Sequence, residues 1–237
     1  MKTIVIVPAY NEEKSIENVV KEIQKLEICD VVVINDCSKD NTSQIAKEAG
    51  ANVVNLVNNL GIGGAVQTGY KYALENDYDY AVQIDGDGQH NPVYIKEMLE
   101  IANKNNADIV IGSRFIEKTG YKQTFLRKIG GDFISWLIKA LSGKKIYDPL
   151  SGYRLVNRKV IEEFAKEYPY DYPEPETNLS MTLKGYKIEE VTMEMRQREF
   201  GSSFITPFTA IWYMIKVSIA LIIERIVGGK KKKWYIT

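Results

Sequence analysis

Five short apolar runs, each closed by a polar turn and followed by a helical repeat, narrow the folds open to this chain. Residues 3–7 (TIVIV), 31–34, 52–56, 80–84 and 108–111 are short and mostly rich in β-branched residues. Such runs mark strands covered on both faces. Between them, residues 12–26 carry Ile16, Val19, Val20, Ile23 and Leu26 at helical spacing. Residues 40–49, 63–74 and 92–103 also predict helices, the last with a proline near its first turn. Strands alternating with helices form a mainly parallel, doubly wound α/β sheet, and its ligands sit beyond the carboxyl ends of the strands. The second half is less regular. Residues 125–141 and 174–183 predict helices, 187–195 a strand, and 148–156 a loop entering a strand. Residues 204–227 are apolar nearly all round.

The turns after the strands hold the chemistry. Pro8-Ala9-Tyr10-Asn11-Glu12 follows the first strand and Asn35-Asp36-Cys37-Ser38-Lys39-Asp40 the second. Asp85-Gly86-Asp87-Gly88-Gln89-His90 follows the fourth, and Gly112-Ser113-Arg114-Phe115 the fifth. Two carboxylates one glycine apart can converge on a hard cation such as Mg²⁺ or Mn²⁺, with Gln89 supplying a neutral oxygen nearby. Such an ion offsets the charge on a departing diphosphate. An acidic turn without a ligand is the alternative, because Asp and Gly are ordinary turn residues. Asp36 could accept hydrogen bonds from a ribose or base edge, as acidic residues do in other doubly wound sheets. It could instead cap a helix, although Asp40 is better placed to cap the next one. Tyr10 could stack on a base, with Glu12 bonding nearby polar groups; a plain strand-to-helix turn competes for Glu12. The glycine-rich residues 58–65 open a helix. That suits either a phosphate or a tight structural turn, and the Gly-Lys-Ser/Thr of a phosphate-binding P-loop is absent.

Composition excludes some partners. With 31 basic and 31 acidic side chains the formal net charge is zero, so no global nucleic-acid footprint is expected. Cys29 and Cys37 are too few for a disulfide framework and fit a reducing compartment. No leader precedes the first strand, so the catalytic part is expected in the cytoplasm. In residues 204–227, Lys216 interrupts the apolar stretch. A spanning helix needs about 20 apolar residues, and a central lysine costs about 2.5–3.5 kcal/mol. An interfacial position at a membrane surface is therefore expected, with Trp212 and Tyr213 near the head groups. Lys230-Lys231-Lys232-Lys233 would face anionic lipid, at about 1 kcal/mol per lysine. A core or oligomer helix with a basic tail is the alternative.

Together these segments resemble the family 2 glycosyltransferases, which have the GT-A fold. The resemblance covers residues 3–203 and rests on PAYNEE (8–13), NDCSKD (35–40), NLGIGGA (59–65), DGDGQH (85–90), GSRF (112–115) and DPLSGYR (148–154) in the family's order. The chain is most similar to the polyprenol-phosphate branch, which includes dolichyl-phosphate mannose synthases and undecaprenyl-phosphate glycosyltransferases. The resemblance implies an inverting, metal-dependent transfer of a sugar from a nucleotide-sugar to a polyprenyl phosphate. The expected setting is cell-envelope glycan synthesis, peripheral to the cytoplasmic face of the cell membrane, with a small membrane protein or a second copy as further partners.

By the same resemblance, Pro8, Tyr10, Glu12 and Asp36 hold the nucleoside. Asp85, Gly86 and Asp87 hold the donor, and Asp85, Asp87 and Gln89 hold Mg²⁺ or Mn²⁺. Arg114 and Arg127 meet the acceptor phosphate, and Arg198 the donor phosphate. The branch often shows Arg-x-x-Gly-x-Ser-Lys here; this chain has Arg198-Glu199-Phe200-Gly201-Ser202-Ser203-Phe204, with Phe204 in place of the final lysine. Surface salt bridges are the alternative for Arg114 and Arg127. Sugar transfer passes through an oxocarbenium-like state. A sugar hydroxyl attacking it usually needs a general base. A phosphate monoester does not, because its second pKa is about 6. His90 is the chain's one histidine, and Asp148 or Glu176 could serve a hydroxyl acceptor. Asp148 could equally cap its own turn. Two further functions stay open: extension of a polysaccharide by hydroxyl attack, and a non-catalytic nucleotide-sugar-binding subunit. The expected division is a GT-A domain at 1–203, then an apolar helix and basic tail at 204–237.

Overall fold

The structure is a computed structural model that describes residues 1–116, 125–196 and 207–231, with side chains described for 1–116, 128–196 and 212–227. The first half alternates as expected: β1 (Thr3–Ala9), α1 (Ile16–Gln24), β2 (Asp30–Asn35), α2 (Thr42–Glu48), β3 (Asn52–Asn55), α3 (Gly61–Glu75), β4 (Tyr80–Gln83), α4 (Tyr94–Asn105) and β5 (Ile109–Ser113). The second half adds α5 (Phe125–Ser142), β6 (Arg154–Asn157), α6 (Arg158–Lys166), α7 (Pro173–Lys184), β7 (Ile188–Thr192) and α8 (Pro207–Lys231).

These strands form one seven-stranded sheet in the order β3-β2-β1-β4-β6-β5-β7. All pairs are parallel except those of β6, which runs antiparallel to both β4 and β5. Helix α6 was not foreseen. It begins directly after β6, where the Asn157 side chain accepts from the Val160 amide and caps it. Its buried residues Val160, Ile161, Phe164 and Ala165 carry the apolar repeat that marks it.

The pleat sorts β1 between two cores. Ile4 and Ile6 join α3, α6 and α7 on one face, and Val5 and Val7 join α1 and α4 on the other. Each such fully buried side chain contributes about 1.5–3 kcal/mol. Helix α3 lies unusually close to its neighbours. A Cβ at Gly69 would sit 2.2 Å from Ile6 Cγ2, and one at Gly63 would sit 2.3 Å from the Pro169 carbonyl oxygen. The glycine-rich stretch thus lets a helix lie flush against strand and loop.

Helix α8 is not merely appended. Val217 and Leu221 are fully buried in the core, and Tyr213 packs edge-on against Tyr172 at 4.9 Å. Its other face exposes Trp212, Ile215, Ile219, Ile222, Ile223 and Ile226. Among the described residues, no helix is long and apolar enough to cross a membrane.

Candidate active site

The carboxyl ends of β1, β2 and β4 open on one cleft of about 390 Å³, lined by Pro8, Tyr10, Glu12, Asp36, Asn59, Asp85, Gly86 and Asp87 among others. The sheet order therefore brings three separately predicted motifs together. Their turns are also tied to one another. Asn11, in the left-handed region at φ 57°, donates its amide to Ser38 Oγ and accepts the Lys39 amide. Ser15, which sequence patterns did not single out, donates to Glu12 Oε2 at 2.9 Å and lies 2.7 Å from the Gly86 carbonyl. Glu12 thus both shapes the turn into α1 and lines the cleft.

Asp36 is 4% exposed. Its two carboxylate oxygens accept the Leu60 amide at 2.7 Å and the Gly61 amide at 2.9 Å. It therefore satisfies the free amides at the start of α3, a capping role on a helix more distant in sequence than the one considered for it. An acidic residue already occupies that helix end, so the glycine-rich turn is spoken for as an anion site. Each oxygen keeps further acceptor capacity towards the cleft.

The acidic turn is held from behind. His90 is buried and stacks on Tyr153, with ring centroids 5.1 Å apart. Its Nδ1 accepts the Asp85 amide at 3.2 Å. Burial, and then the positive charge of Arg114, push the imidazole down to about 4 against the pull of Asp87 and Asp148. A neutral ring accepting through Nδ1 fits a structural brace. Asp87 Oδ1 accepts the Gln89 amide at 3.0 Å, while the Gln89 side chain turns to the Arg196 carbonyl at 3.3 Å. Gln89 does not line the cleft.

Among the described residues, no three His, Cys, Asp or Glu side chains gather as a self-sufficient metal cage. Asp85 and Asp87 alone fit Mg²⁺ or Mn²⁺, because such ions commonly take one or two carboxylates and complete their shell with water and substrate phosphates.

Arg114 and Asp148 form one unit. Nε and Nη2 of Arg114 each lie 2.7 Å from an Asp148 oxygen, and the Arg114 amide adds a third bond at 3.0 Å. Asp148 is 1% exposed. A carboxylate enclosed by a guanidinium is poorly placed to take a proton from an acceptor. Its backbone also closes the expected turn, the Asp148 carbonyl accepting the Ser151 amide at 3.3 Å. Glu190 supports the unit by accepting the amides of Tyr147 and Asp148.

Helix α7 presents its two glutamates differently. Glu176 faces Glu224 of α8 and lines a separate cavity between α6, α7 and α8. Glu174, which sequence reasoning passed over, lies within electrostatic reach of Asp85 and Arg154. The side chain of Arg127 and all of Arg198 lie outside the described residues.

The family model described as "Glycosyl transferase family 2" matches residues 4–164. The UDP-N-acetylglucosamine–dolichyl-phosphate N-acetylglucosaminyltransferase of Methanococcus voltae is 33% identical over 180 residues, covering 68% of this chain and 72% of that protein. The polyprenol monophosphomannose synthase of Mycolicibacterium smegmatis is 25% identical over 237 residues, covering 92% and 86%. Among solved structures, the glucosyl-3-phosphoglycerate synthase of Mycobacterium tuberculosis with Mg²⁺ and UDP superposes with a TM-score of 0.70 at 20% identity, covering 94% of this chain and 79% of that one. That likeness speaks for the fold, a GT-A arrangement of mostly parallel strands flanked by helices.

Proposed function

This chain belongs to glycosyl transferase family 2, and from that premise we propose that it moves a sugar from a nucleotide-sugar to a polyprenyl phosphate, inverting the anomeric carbon. The observation that carries the proposal is the single cleft uniting Asp85 and Asp87 with Pro8, Tyr10, Glu12 and Asp36. In this reading Tyr10 and Asp36 hold the nucleoside, and Asp85 and Asp87 hold the donor diphosphate through Mg²⁺ or Mn²⁺. A cation bound there would offset the charge on the leaving diphosphate. Arg114, fixed in orientation by Asp148, presents its guanidinium to the acceptor phosphate, joined by Arg127; Arg198 meets the donor phosphate.

The acceptor is assigned as a phosphate for a chemical reason. Asp148 is committed to Arg114, and His90 is committed to the Asp85 amide. A phosphate monoester attacks without either. Relatives whose names carry dolichyl-phosphate and polyprenol support the same choice. Glu174, near Asp85, favours the second reading, in which a sugar hydroxyl attacks with this carboxyl as base.

The exposed apolar face of α8 would lie on the cytoplasmic membrane surface, with the lysines at 230–233 towards anionic lipid. A small membrane protein or a second copy is a further candidate partner there.

The test is a transfer assay with purified protein, Mg²⁺, labelled UDP-, GDP- and dTDP-sugars, and undecaprenyl phosphate in detergent. Metal-dependent label in the lipid phase, lost in Asp87→Asn, is the expected result. Donor binding without lipid product would move the assignment to a saccharide acceptor. No donor binding would overturn the transferase role altogether.

A further inference from the structure

The most anomalous part of the interior lies directly behind Asp85. Arg154, the first residue of β6, is fully buried. A buried guanidinium is costly unless its charge is answered. Its Nη1 donates to Thr177 Oγ1 at 2.7 Å and its Nη2 to the Ser151 carbonyl at 2.9 Å, but both acceptors are neutral. Gln83, its register partner on β4, is fully buried as well. Its amide faces Glu174 without a well-formed hydrogen bond. The hydroxyls of Tyr70 and Tyr168 lie within electrostatic reach of Arg154 and are likewise buried. Among the described residues, Arg154 Nε, both Gln83 amide atoms and the two tyrosine hydroxyls thus make five buried polar atoms without a well-formed hydrogen bond. Buried polar atoms nearly always find partners, so stability alone does not account for such a cluster.

The charge that answers the guanidinium is the Glu174 carboxylate, with Asp85 of the cleft close to both Glu174 and Gln83. Asp85 lies two residues beyond Gln83. A Cβ at Gly152 would sit 3.1 Å from Gln83 Nε2 and 3.5 Å from Asp85 Oδ1, so amide and carboxylate share one wall. Glu174 lies within electrostatic reach of both Arg154 and Asp85. Left alone in surroundings of low dielectric, two such carboxylates repel strongly.

We propose that Arg154 is a positioning residue whose buried charge lets Glu174 lie close to Asp85 beneath the donor cleft. It thereby sets how tightly the site takes a divalent cation with a nucleoside diphosphate, while touching neither. This inference rests on the donor-cleft assignment above.

The test is calorimetric binding of UDP, GDP and dTDP, with and without Mn²⁺, to the full chain and to Arg154→Met, Arg154→Lys, Glu174→Gln and the double variant Arg154→Met/Glu174→Gln. Losing a group that orients a metal ligand typically weakens binding by about tenfold or more, which is the expectation for Arg154→Met. Arg154→Lys keeps a positive charge but not the two fixed donors, so it should bind more tightly than Arg154→Met and more weakly than wild type. The double variant removes the repulsion and should recover most of the loss, a coupling that a mere space-filling role does not produce. Wild-type binding by a folded Arg154→Met overturns the proposal, and so does a double variant no better than Arg154→Met. Should Arg154→Met fail to fold, recovery of both folding and binding by the double variant decides the same point. If the wild type binds no nucleoside diphosphate with Mn²⁺, the donor-cleft assignment fails by itself. Thermal unfolding of the same proteins then judges Arg154: a double variant that melts above Arg154→Met upholds the coupling, and one that does not overturns it.

Discussion

Arg114 and Asp148 show what a residue's neighbours decide about its role. Each was visible in the sequence as a candidate, but their pairing spans 34 positions and no local pattern encodes it. Breaking a buried ion pair by removing one partner costs about 3–5 kcal/mol. Arg114 keeps 17% of its side chain exposed, so the lower end applies. Asp148→Asn should therefore lower the unfolding free energy by about 3 kcal/mol, read from urea unfolding. A general base replaced by its amide would lose turnover and keep its stability. His90 followed the same course: the motif placed it beside the acidic turn, and the fold made it that turn's brace.

Among the elements, α3 was legible as a helix, but the purpose of its glycines was not. A helical Gly→Ala change usually gains about 1 kcal/mol. At Gly63 the new methyl would meet the Pro169 carbonyl oxygen at 2.3 Å. Gly63→Ala should instead destabilise by about 2 kcal/mol, measured by thermal unfolding. The seam between α7 and α8 carries a pH dependence. Burial first, then the charges of Glu224 and Asp171, raise the Glu176 carboxyl from 4.5 to about 7. An acid raised on folding binds more protons in the native state between those values, so stability falls as pH rises from about 4.5 to 7. Glu176→Gln removes that loss. Because the group is partly exposed, solvent screening leaves a gain of about 1 kcal/mol at pH 8. At pH 4 the melting temperatures of variant and wild type should coincide. Helix α6 escaped the sequence reading because it starts immediately after a strand, with only Asn157, the strand's last residue and the helix's cap, to announce it.

For the whole molecule, α8 divides its surface between the core and the exterior. Val217 and Leu221 anchor one side, and Ile219 and Ile223 stand exposed on the other. If that face meets lipid as proposed, Ile219→Glu/Ile223→Glu should weaken sedimentation with anionic vesicles by about tenfold or more. The melting temperature should hardly change, since neither side chain is in the core; equal vesicle binding would rule out the membrane face. The sequence by itself determined the alternating strands and helices and the carboxylates, tyrosine and arginine at the strand ends. Those follow from local rules, because side-chain periodicity and turn chemistry are written within a few residues. The tertiary structure alone decided that β6 runs antiparallel between β4 and β5 and that Arg154 is buried behind Asp85. It also decided that Glu174 comes within electrostatic reach of Asp85 while Glu176 turns to Glu224. Strand order and helix rotation bring these groups together across tens of residues, and charge, burial and reach take their meaning only from the neighbours so assembled.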